Sequence, residues 1–71
     1  MKELLSNINK AFESRVRLGI MSVLIVNTQA DFRTLRDTLE VTDGNLATHL
    51  RALEEAGYIT SEKRFLNKKP N

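Results

Sequence analysis

The stretch TDGNLATHLRALEEAGYI, residues 42–59, carries a helix with two different faces. Leu46, Leu50 and Leu53 recur at helical spacing on one side, which is the arrangement of a helix that packs against a core. The opposite side holds short or hydrogen-bonding residues over the N-terminal two turns, namely Gly44, Asn45, Thr48, Arg51 and Ala52. We therefore predict a helix that packs through its leucines and leaves a small, polar face outward.

That outward face is open to two interpretations. A solvated helix face is usually filled with Glu, Lys and Gln, whereas a helix in the DNA major groove must bring its backbone close to the base edges. Small polar side chains with one arginine suit the second task. Glu54 and Glu55 lie at the C-terminal end, away from the turns that would enter a groove. An ordinary solvated or protein-contacting face is the alternative.

The residues around this helix predict its ends. Thr42 can accept a hydrogen bond from the free backbone N–H groups of the first turn, and Asp43 is favourable at the positive end of the helix dipole. Gly57 stands where a left-handed residue commonly closes a helix. We predict a helix over residues 43–56, joined to the preceding helix by a tight turn.

Two further helices are predicted upstream. Asp31 is a plausible N-cap for a short helix whose Phe32, Leu35 and Leu39 face inward. Before it, SRVRLGIMSVLIV (residues 14–26) has a broad apolar stripe that predicts a central helix, although its β-branched end also fits a strand.

The first residues of the chain form a separate pattern. An amphipathic N-terminal helix is predicted because apolar residues recur there at helical spacing, namely Leu4, Leu5, Ile8, Ala11 and Phe12. This stripe is either local core or a dimer seam. A chain of 71 residues buries only about 60% of the surface that its unfolded form exposes and is marginal as a lone monomer, so we expect a partner subunit.

In the C-terminal segment, the hydrophobic pattern changes to a period of two residues. YITSEKRFL (residues 58–66) predicts a strand, and NKKPN (residues 67–71) has the composition of a turn. The segment 58–71 carries a cationic excess, with Glu62 opposed by Lys63, Arg64, Lys68 and Lys69. We predict a strand that leads into a basic loop.

Composition excludes several classes of function. With no cysteine and one histidine, the chain has neither a disulfide framework nor the ligands of a metal cluster, and we expect no cofactor. No apolar run approaches the roughly 18 residues of a membrane span, so we expect a single cytoplasmic domain. The sequence offers no constellation for acid-base, nucleophilic or phosphate-loop chemistry, and we do not expect an enzyme.

The order of these elements resembles the winged-helix domain of bacterial MarR-like and ArsR-like transcriptional regulators. SRVRLGIM (residues 14–21) is similar to the family's opening helix motif, DFRTLRDTLEVTDGNLATHLRALEEAGYI (31–59) to its helix-turn-helix, and EKRFLNKKP (62–70) to the rising half of its wing. The spacing TDGNL...HL..LEEAGY is typical of a compact subgroup with little beyond the DNA-binding domain and pairing helices. The resemblance implies a mainly α fold with a small β-wing: a three-helix core preceded by the N-terminal amphipathic helix.

By position, the resemblance makes residues 43–52 the recognition helix, 32–40 the supporting helix and 63–70 the wing. It implies that bases and nearby phosphates are contacted by Gly44, Asn45, Thr48, His49, Arg51 and Ala52. Further phosphate contacts are implied for Arg33, Arg36, Lys63, Arg64, Lys68 and Lys69. His49 has a second interpretation, because it flanks the leucine stripe and also fits a partly buried, hydrogen-bonded histidine.

Two positions depart from the family pattern. Glu40 stands in the turn where relatives often have Gly, and a left-handed conformation there costs roughly 1 kcal/mol. The wing is expected to be truncated, because the chain stops where a returning strand should begin. We therefore predict an intermolecular strand pairing or a disordered tail after Phe65, with the upstream TQADF (residues 28–32) supplying at most a short partner strand.

Residues 1–71 are predicted to form one domain: an N-terminal dimerisation helix (1–11), a helical core (12–57) and a partial wing (58–71). The predicted function is a homodimeric, double-stranded DNA-binding transcriptional regulator without membrane contact. A two-fold dimer would place two recognition helices about one DNA turn apart on a near-palindrome. The alternative is a winged helix that binds another protein and no DNA.

Overall fold

A computed structural model describes residues 2–62 and 65–69, and these residues form three helices and three short strands. The order is α1 (Lys2–Asn27), β1 (Gln29–Asp31), α2 (Phe32–Leu39), α3 (Asp43–Glu55), β2 (Ile59–Glu62) and β3 (Phe65–Lys68). The predicted class, mainly helical with a small β-wing, is confirmed. We call the β2–β3 hairpin the wing.

The N-terminal segment is one continuous helix of 26 residues, so the prediction of two separate helices is wrong. The apolar face changes near Phe12, but no proline or glycine stands at this point to interrupt the backbone hydrogen bonds. The β-branched end is also helical and closes at Asn27, whose side chain donates to the Val23 carbonyl at 3.0 Å. No helix in the described ranges is long and apolar enough to cross a bilayer.

The core lies where the second half of α1 meets α2, α3 and the sheet. Ile20 and Leu24 of α1, Leu35 of α2 and Leu46 of α3 are each 0% exposed. The predicted packing side of α3 is confirmed, with Leu46, Leu50 and Leu53 all buried. The remaining core side chains are Val16, Ala30, Ile59 and Leu66. The fold thus presents α3 with one face fixed inward along most of its length.

The predicted helix caps are confirmed. The Asp31 carboxylate accepts from the Thr34 backbone N–H at 2.7 Å, and the Thr42 hydroxyl accepts from the Asn45 backbone N–H at 3.2 Å. Glu40 ends α2 in the left-handed conformation with φ 55, and Gly57 follows α3 with φ 87. The Thr42 cap and the Glu40 conformation thus define the short turn between α2 and α3.

The strands form one antiparallel sheet in the order β1-β3-β2. In the wing, Glu62 pairs with Phe65 and Ile59 pairs with Lys68, so the returning strand is present and begins at Phe65. The predictions of a truncated wing, of an intermolecular pairing and of a disordered tail after this residue are therefore wrong. The short partner strand predicted upstream is confirmed, since β1 pairs with the other edge of β3.

The error in the wing has a physical cause. Only two residues separate the paired positions Glu62 and Phe65, and a two-residue connection is enough for an antiparallel hairpin. The turn-like composition of residues 67–71 predicts a loop, whereas β3 extends to Lys68. Lys63 and Arg64, predicted as wing contacts, lie outside the described residues.

Candidate nucleic-acid interface

The outer face of α3 is open to solvent over the first two turns of the helix. Gly44, Asn45, Thr48 and Arg51 are exposed or half-exposed, and Ala52 is half-buried. The Thr48 hydroxyl donates to the Gly44 carbonyl at 2.9 Å, which holds its side chain close to the helix and leaves its oxygen free to accept. Apart from Arg51, the side chains of this face are short, so that a second surface can approach the helix backbone closely.

His49 does not share this face. Its side chain is buried, with 6% of its surface exposed, and its Nδ1 atom has no hydrogen-bond partner among the described residues. The predicted burial is thus correct, whereas the predicted hydrogen bond is not present at Nδ1. The base-contact interpretation does not fit this position, because the ring would have to leave the core side of α3 to reach a ligand. We remove His49 from the candidate interface.

The start of α3 combines free backbone N–H groups with an acidic side chain. The Asn45 N–H is taken by the Thr42 hydroxyl, and the Leu46 N–H begins the helical bonding by donating to the Thr42 carbonyl at 3.0 Å. The N–H groups of the preceding two residues, Asp43 and Gly44, point out of the helix end, where an anion is favourable. The exposed Asp43 carboxylate is the negative group of this first turn.

Arg36 is held by two carboxylates. Its guanidinium donates to Asp43 at 3.0 Å and to Asp37 at 3.1 Å. These hydrogen bonds, first that to Asp43 and then that to Asp37, raise the pKa of Arg36 above its ordinary value. Arg36 therefore links α2 to the first turn of α3, a role that sequence reasoning missed. Its predicted phosphate contact would compete with these ion pairs.

Arg33 has a different setting, in the first turn of α2. It borders an open groove of about 730 Å³ between the start of α2, the flank of α3 and the sheet. The groove is lined by Asp31, Phe32, Arg33, Ala47, Leu50, Arg51, Glu54, Ser61 and Leu66. Two arginines of the predicted interface, Arg33 and Arg51, thus border a single depression.

Ala47 and Ser61 are absent from the predicted interface. Ala47 stands one helical turn before Arg51, and its spacing alone could have placed it beside that residue. Ser61 pairs with Leu66 in the wing, a relation that becomes visible only when the strand register is known. The missing signal was therefore the wing hairpin, which brings β2 alongside α3.

The lysines of the wing lie apart from its turn. Lys68 is exposed at the end of β3 opposite Ile59, and the Lys69 backbone N–H donates to the Tyr58 carbonyl at 3.0 Å. Since β3 rises about 3.3 Å per residue, Lys68 lies roughly 10 Å from the Phe65 end of the hairpin. The expectation that all four wing cations share one loop is wrong for Lys68, which belongs to the base of the hairpin.

Comparisons with known proteins agree with this architecture. Residues 16–71 match the family model described as "Winged helix DNA-binding domain". An uncharacterized protein of Methanocaldococcus jannaschii, MJ0432, is 41% identical over 57 residues, which are 80% of this chain and 62% of that protein. The present chain therefore spans less than two thirds of the length of this relative.

A solved structure shares the whole fold. The transcriptional regulator homologue protein from Pyrococcus horikoshii OT3 aligns with a TM-score of 0.72 and 31% sequence identity, covering 100% of this chain and 78% of that one. The three helices, the capped turn between α2 and α3, and the three-stranded sheet are the parts that a winged helix requires. With the family match extending over residues 16–71, the chain belongs to the winged helix DNA-binding domain family.

Proposed function

We propose that the protein is a sequence-specific transcriptional regulator of the compact MarR-like and ArsR-like type, which binds double-stranded DNA as a homodimer. α3 enters the major groove, and the wing lies on the backbone or in the minor groove. The observation that carries this proposal is the exposed, small and polar outer face of α3. The side chains on this side must be short for the helix backbone to come within hydrogen-bonding reach of base edges.

Each residue of the α3 face has a defined task in this proposal. Arg51 makes a bidentate contact with a guanine edge, or with a phosphate if the helix sits higher in the groove. Asn45 and Thr48 hydrogen-bond to bases or phosphates, while Gly44 and Ala52 allow the close approach. The backbone N–H groups at the start of α3 receive a phosphate.

Cations beside α3 supply contacts that do not depend on sequence. Arg33 lies at the start of α2, and Lys68 and Lys69 are exposed at the base of the wing. Lys63 and Arg64 stand between the two wing strands in the sequence. Arg36 joins this set only after it exchanges its ion pairs for a phosphate. Each such contact releases counterions and makes the affinity depend on salt.

The homodimer is proposed because α1 presents apolar side chains that the domain itself does not cover. Leu4, Leu5 and Ile8 are 60%, 56% and 54% exposed. A two-fold pairing of α1 would bury them and would place two copies of α3 on successive major grooves. The target should then be a near-palindrome with half-sites about 34–36 Å apart.

The proposal is tested by binding to fragments of the surrounding genome. Wild type, Arg51→Ala and Lys68→Ala/Lys69→Ala are compared by fluorescence anisotropy over a range of salt concentrations. Arg17→Ala is the matched control, because it removes the same charge from an exposed position of α1. Arg51→Ala should relax the sequence preference by about 1–3 kcal/mol. The double variant should weaken binding to all sequences and reduce the salt slope by about 0.9 for each phosphate that is no longer neutralised.

Equal binding by all four proteins would contradict the proposed interface. Binding that is weak and hardly changes with salt would instead support the alternative, a winged helix whose outer face meets another protein. A nuclease footprint on the bound DNA that lacks two-fold symmetry would contradict the homodimer but not the proposed contacts of α3.

A further inference from the structure

The exposed apolar surface of this protein is concentrated on one helix. Nine large hydrophobic side chains are exposed in residues 2–62 and 65–69, and seven of them belong to α1. They occur at both ends of the helix, at Leu4, Leu5, Ile8, Phe12, Leu18, Ile25 and Val26. Single exposed hydrophobics are ordinary on a protein surface, whereas a set confined to one element indicates an interface.

A heptad repeat runs along the whole of α1. Positions 4, 8, 11, 15, 18, 22 and 25 are separated alternately by four and three residues, and they are occupied by Leu4, Ile8, Ala11, Arg15, Leu18, Ser22 and Ile25. We call this row the α1 seam. It lies on the side of the helix away from the buried residues Val16, Ile20 and Leu24. Five of the seven positions are apolar, and apolar residues at this spacing over three heptads are the pattern of a helix that pairs with another helix.

The size of the α1 seam fits a second copy of the same chain. The 26 residues of α1 span about 39 Å, and its first half, residues 2–15, is exposed throughout. The four large apolar side chains of the seam, Leu4, Ile8, Leu18 and Ile25, present on the order of 400 Å² of surface, within the range of the largest patch of a monomer. With the polar side chains around them, this approaches the roughly 800 Å² per partner of a standard interface.

Arg15 and the small residues of the seam distinguish the two ways of pairing. A parallel pair in register would oppose Arg15 to Arg15, Ala11 to Ala11 and Ser22 to Ser22, which places like charges together and leaves voids. An antiparallel pair whose two-fold axis passes near residue 13 opposes Leu4 to Ser22, Ile8 to Leu18 and Ala11 to Arg15. Small residues then face larger ones, as close packing requires, and the two Arg15 charges are separated.

A groove beside the seam gives this pairing a place for the helix ends. It has a volume of about 480 Å³ and lies between α1 and the end of α2, with Phe12, Leu18, Gly19 and Leu39 in its lining. α1 and α2 approach so closely here that a Cβ on Gly19 would lie 2.5 Å from Leu39 Cδ2. In the antiparallel arrangement, Leu4 of one copy lies opposite Ser22 of the other, which also borders this groove.

We propose that two copies of the chain pair through the full length of α1 as an antiparallel coiled coil, centred near residue 13. This inference rests on the homodimer of the proposed function and adds its orientation, register and contact residues. Ile8 of one copy packs against Leu18 of the other, twice per dimer. The N-terminal half of α1, which has no core of its own, is thereby covered by the C-terminal half of a second α1.

Cross-linking tests the orientation directly, since the natural chain has no cysteine. Ile8→Cys and Leu18→Cys proteins are mixed in equal amounts without DNA, oxidised, and followed by non-reducing electrophoresis and intact mass. The mixture should form the Ile8→Cys with Leu18→Cys disulfide at least tenfold faster than either variant alone. The matched control is a mixture of Lys10→Cys and Arg17→Cys, which have similar spacing on a different side of α1 and should cross-link slowly.

If the Ile8→Cys and Leu18→Cys substitutions weaken association of the two copies, a second pair, Leu4→Cys with Ser22→Cys, repeats the test. Fastest cross-linking of Ile8→Cys with itself would overturn the antiparallel orientation. A wild-type protein that stays monomeric at tens of micromolar by light scattering, with no mixture above the control, would overturn the pairing altogether. Cross-linking as expected in a protein that fails to bind DNA would contradict the proposed function alone, so the two failures are distinguishable.

Discussion

The outer faces of α1 and α3 are both exposed, yet they have opposite chemistry. The α1 seam carries large aliphatic side chains, whereas the outer face of α3 carries glycine, alanine and small hydrogen-bonding groups. Burial of the first face gains free energy by removing apolar area from water, at about 25 cal/mol per Å². The second face gains almost nothing in this way and is suited to a polar, hydrated partner. In the proposed function, two helices thus offer faces to different partners, α1 to protein and α3 to nucleic acid.

The two helices also differ in how they are fixed. α3 has buried leucines along its length, a capped start and an ion pair from Arg36 to its first turn. The buried residues of α1 begin at Val16, and no residue of 2–15 is buried within the chain. A rigid support is what a helix needs for reading base edges, since those contacts depend on accurate placement. Substitutions on each face can test this contrast, and the largest effect is expected in the core.

A substitution on the inward face of α3 should lower the stability of the fold, whereas one on the outward face should leave stability nearly unchanged. Leu46→Ala removes a side chain that is 0% exposed and should lower the free energy of unfolding by about 2–5 kcal/mol. Arg51→Ala, on the exposed face of the same helix, should change it by no more than about 0.5 kcal/mol. Urea denaturation measures both. Similar stability of the two variants would show that the leucine stripe is not the anchor of α3.

A new negative charge should act differently on the two faces. Ile8→Asp places a carboxylate in the α1 seam and should shift the monomer-dimer equilibrium by at least tenfold toward monomer, because the charge would be buried. Asn45→Asp makes the same kind of change on α3 and should leave the dimer intact while weakening DNA binding at least tenfold by repulsion of phosphate. Sedimentation equilibrium and anisotropy on a half-site are the two measurements.

The informative result of this pair is that each substitution impairs only one of the two interactions, dimerisation or DNA binding. If Asn45→Asp dissociated the dimer, α3 would belong to the protein interface and the assignment of the two faces would be reversed. If Ile8→Asp weakened binding to a half-site as strongly as Asn45→Asp, then α1 would contribute to the DNA contact itself.

Removal of the cap of α3 should have an intermediate effect. Thr42→Ala abolishes the hydrogen bond to the Asn45 backbone N–H and should lower the free energy of unfolding by about 1 kcal/mol. Thr38→Ala is the control, since Thr38 is exposed within α2 and alanine favours a helix at least as well. Thermal unfolding of both variants checks the difference. No loss for Thr42→Ala would mean that water replaces the hydroxyl at no cost.

The smallest effect is expected at the turn between α2 and α3. Glu40 has φ 55, a left-handed conformation that glycine adopts without strain. Glu40→Gly should therefore raise the free energy of unfolding by up to about 1 kcal/mol, less the entropy that glycine adds to the unfolded chain. Urea denaturation measures the change. A loss of stability instead would indicate that the Glu40 side chain stabilises the turn.

Sequence reasoning succeeds where local chemistry decides the structure. The caps at Asp31 and Thr42, the left-handed position at Gly57 and the packing side of α3 each follow from a few neighbouring residues, whereas the left-handed conformation at Glu40 is suggested only by the family resemblance. The continuous α1 is not predicted, because a change of apolar face resembles the end of one helix and the start of another. One of these faces packs on the core and the other is the α1 seam, and a single helix carries both.

The site is less predictable because its residues are arranged by contacts far apart in the sequence. Arg36 meets Asp43 only after the turn brings α2 and α3 together, and Ser61 reaches the groove only through the register of the hairpin. The burial of His49 depends on which flank of α3 the core covers. Hydrophobic periodicity gives the centre of the buried side, but it does not give its width.

Asp31 takes part in two structures at once. Its backbone pairs in register with Phe65 of β3, and its carboxylate caps the first turn of α2. Asp31 therefore connects the hairpin to the start of α2, and Arg36 connects α2 to α3, beside the contacts that Ile59 and Leu66 of the hairpin make in the core. In the proposed function, strain that a bent duplex imposes on the hairpin would reach α3 along this polar path as well as through the core.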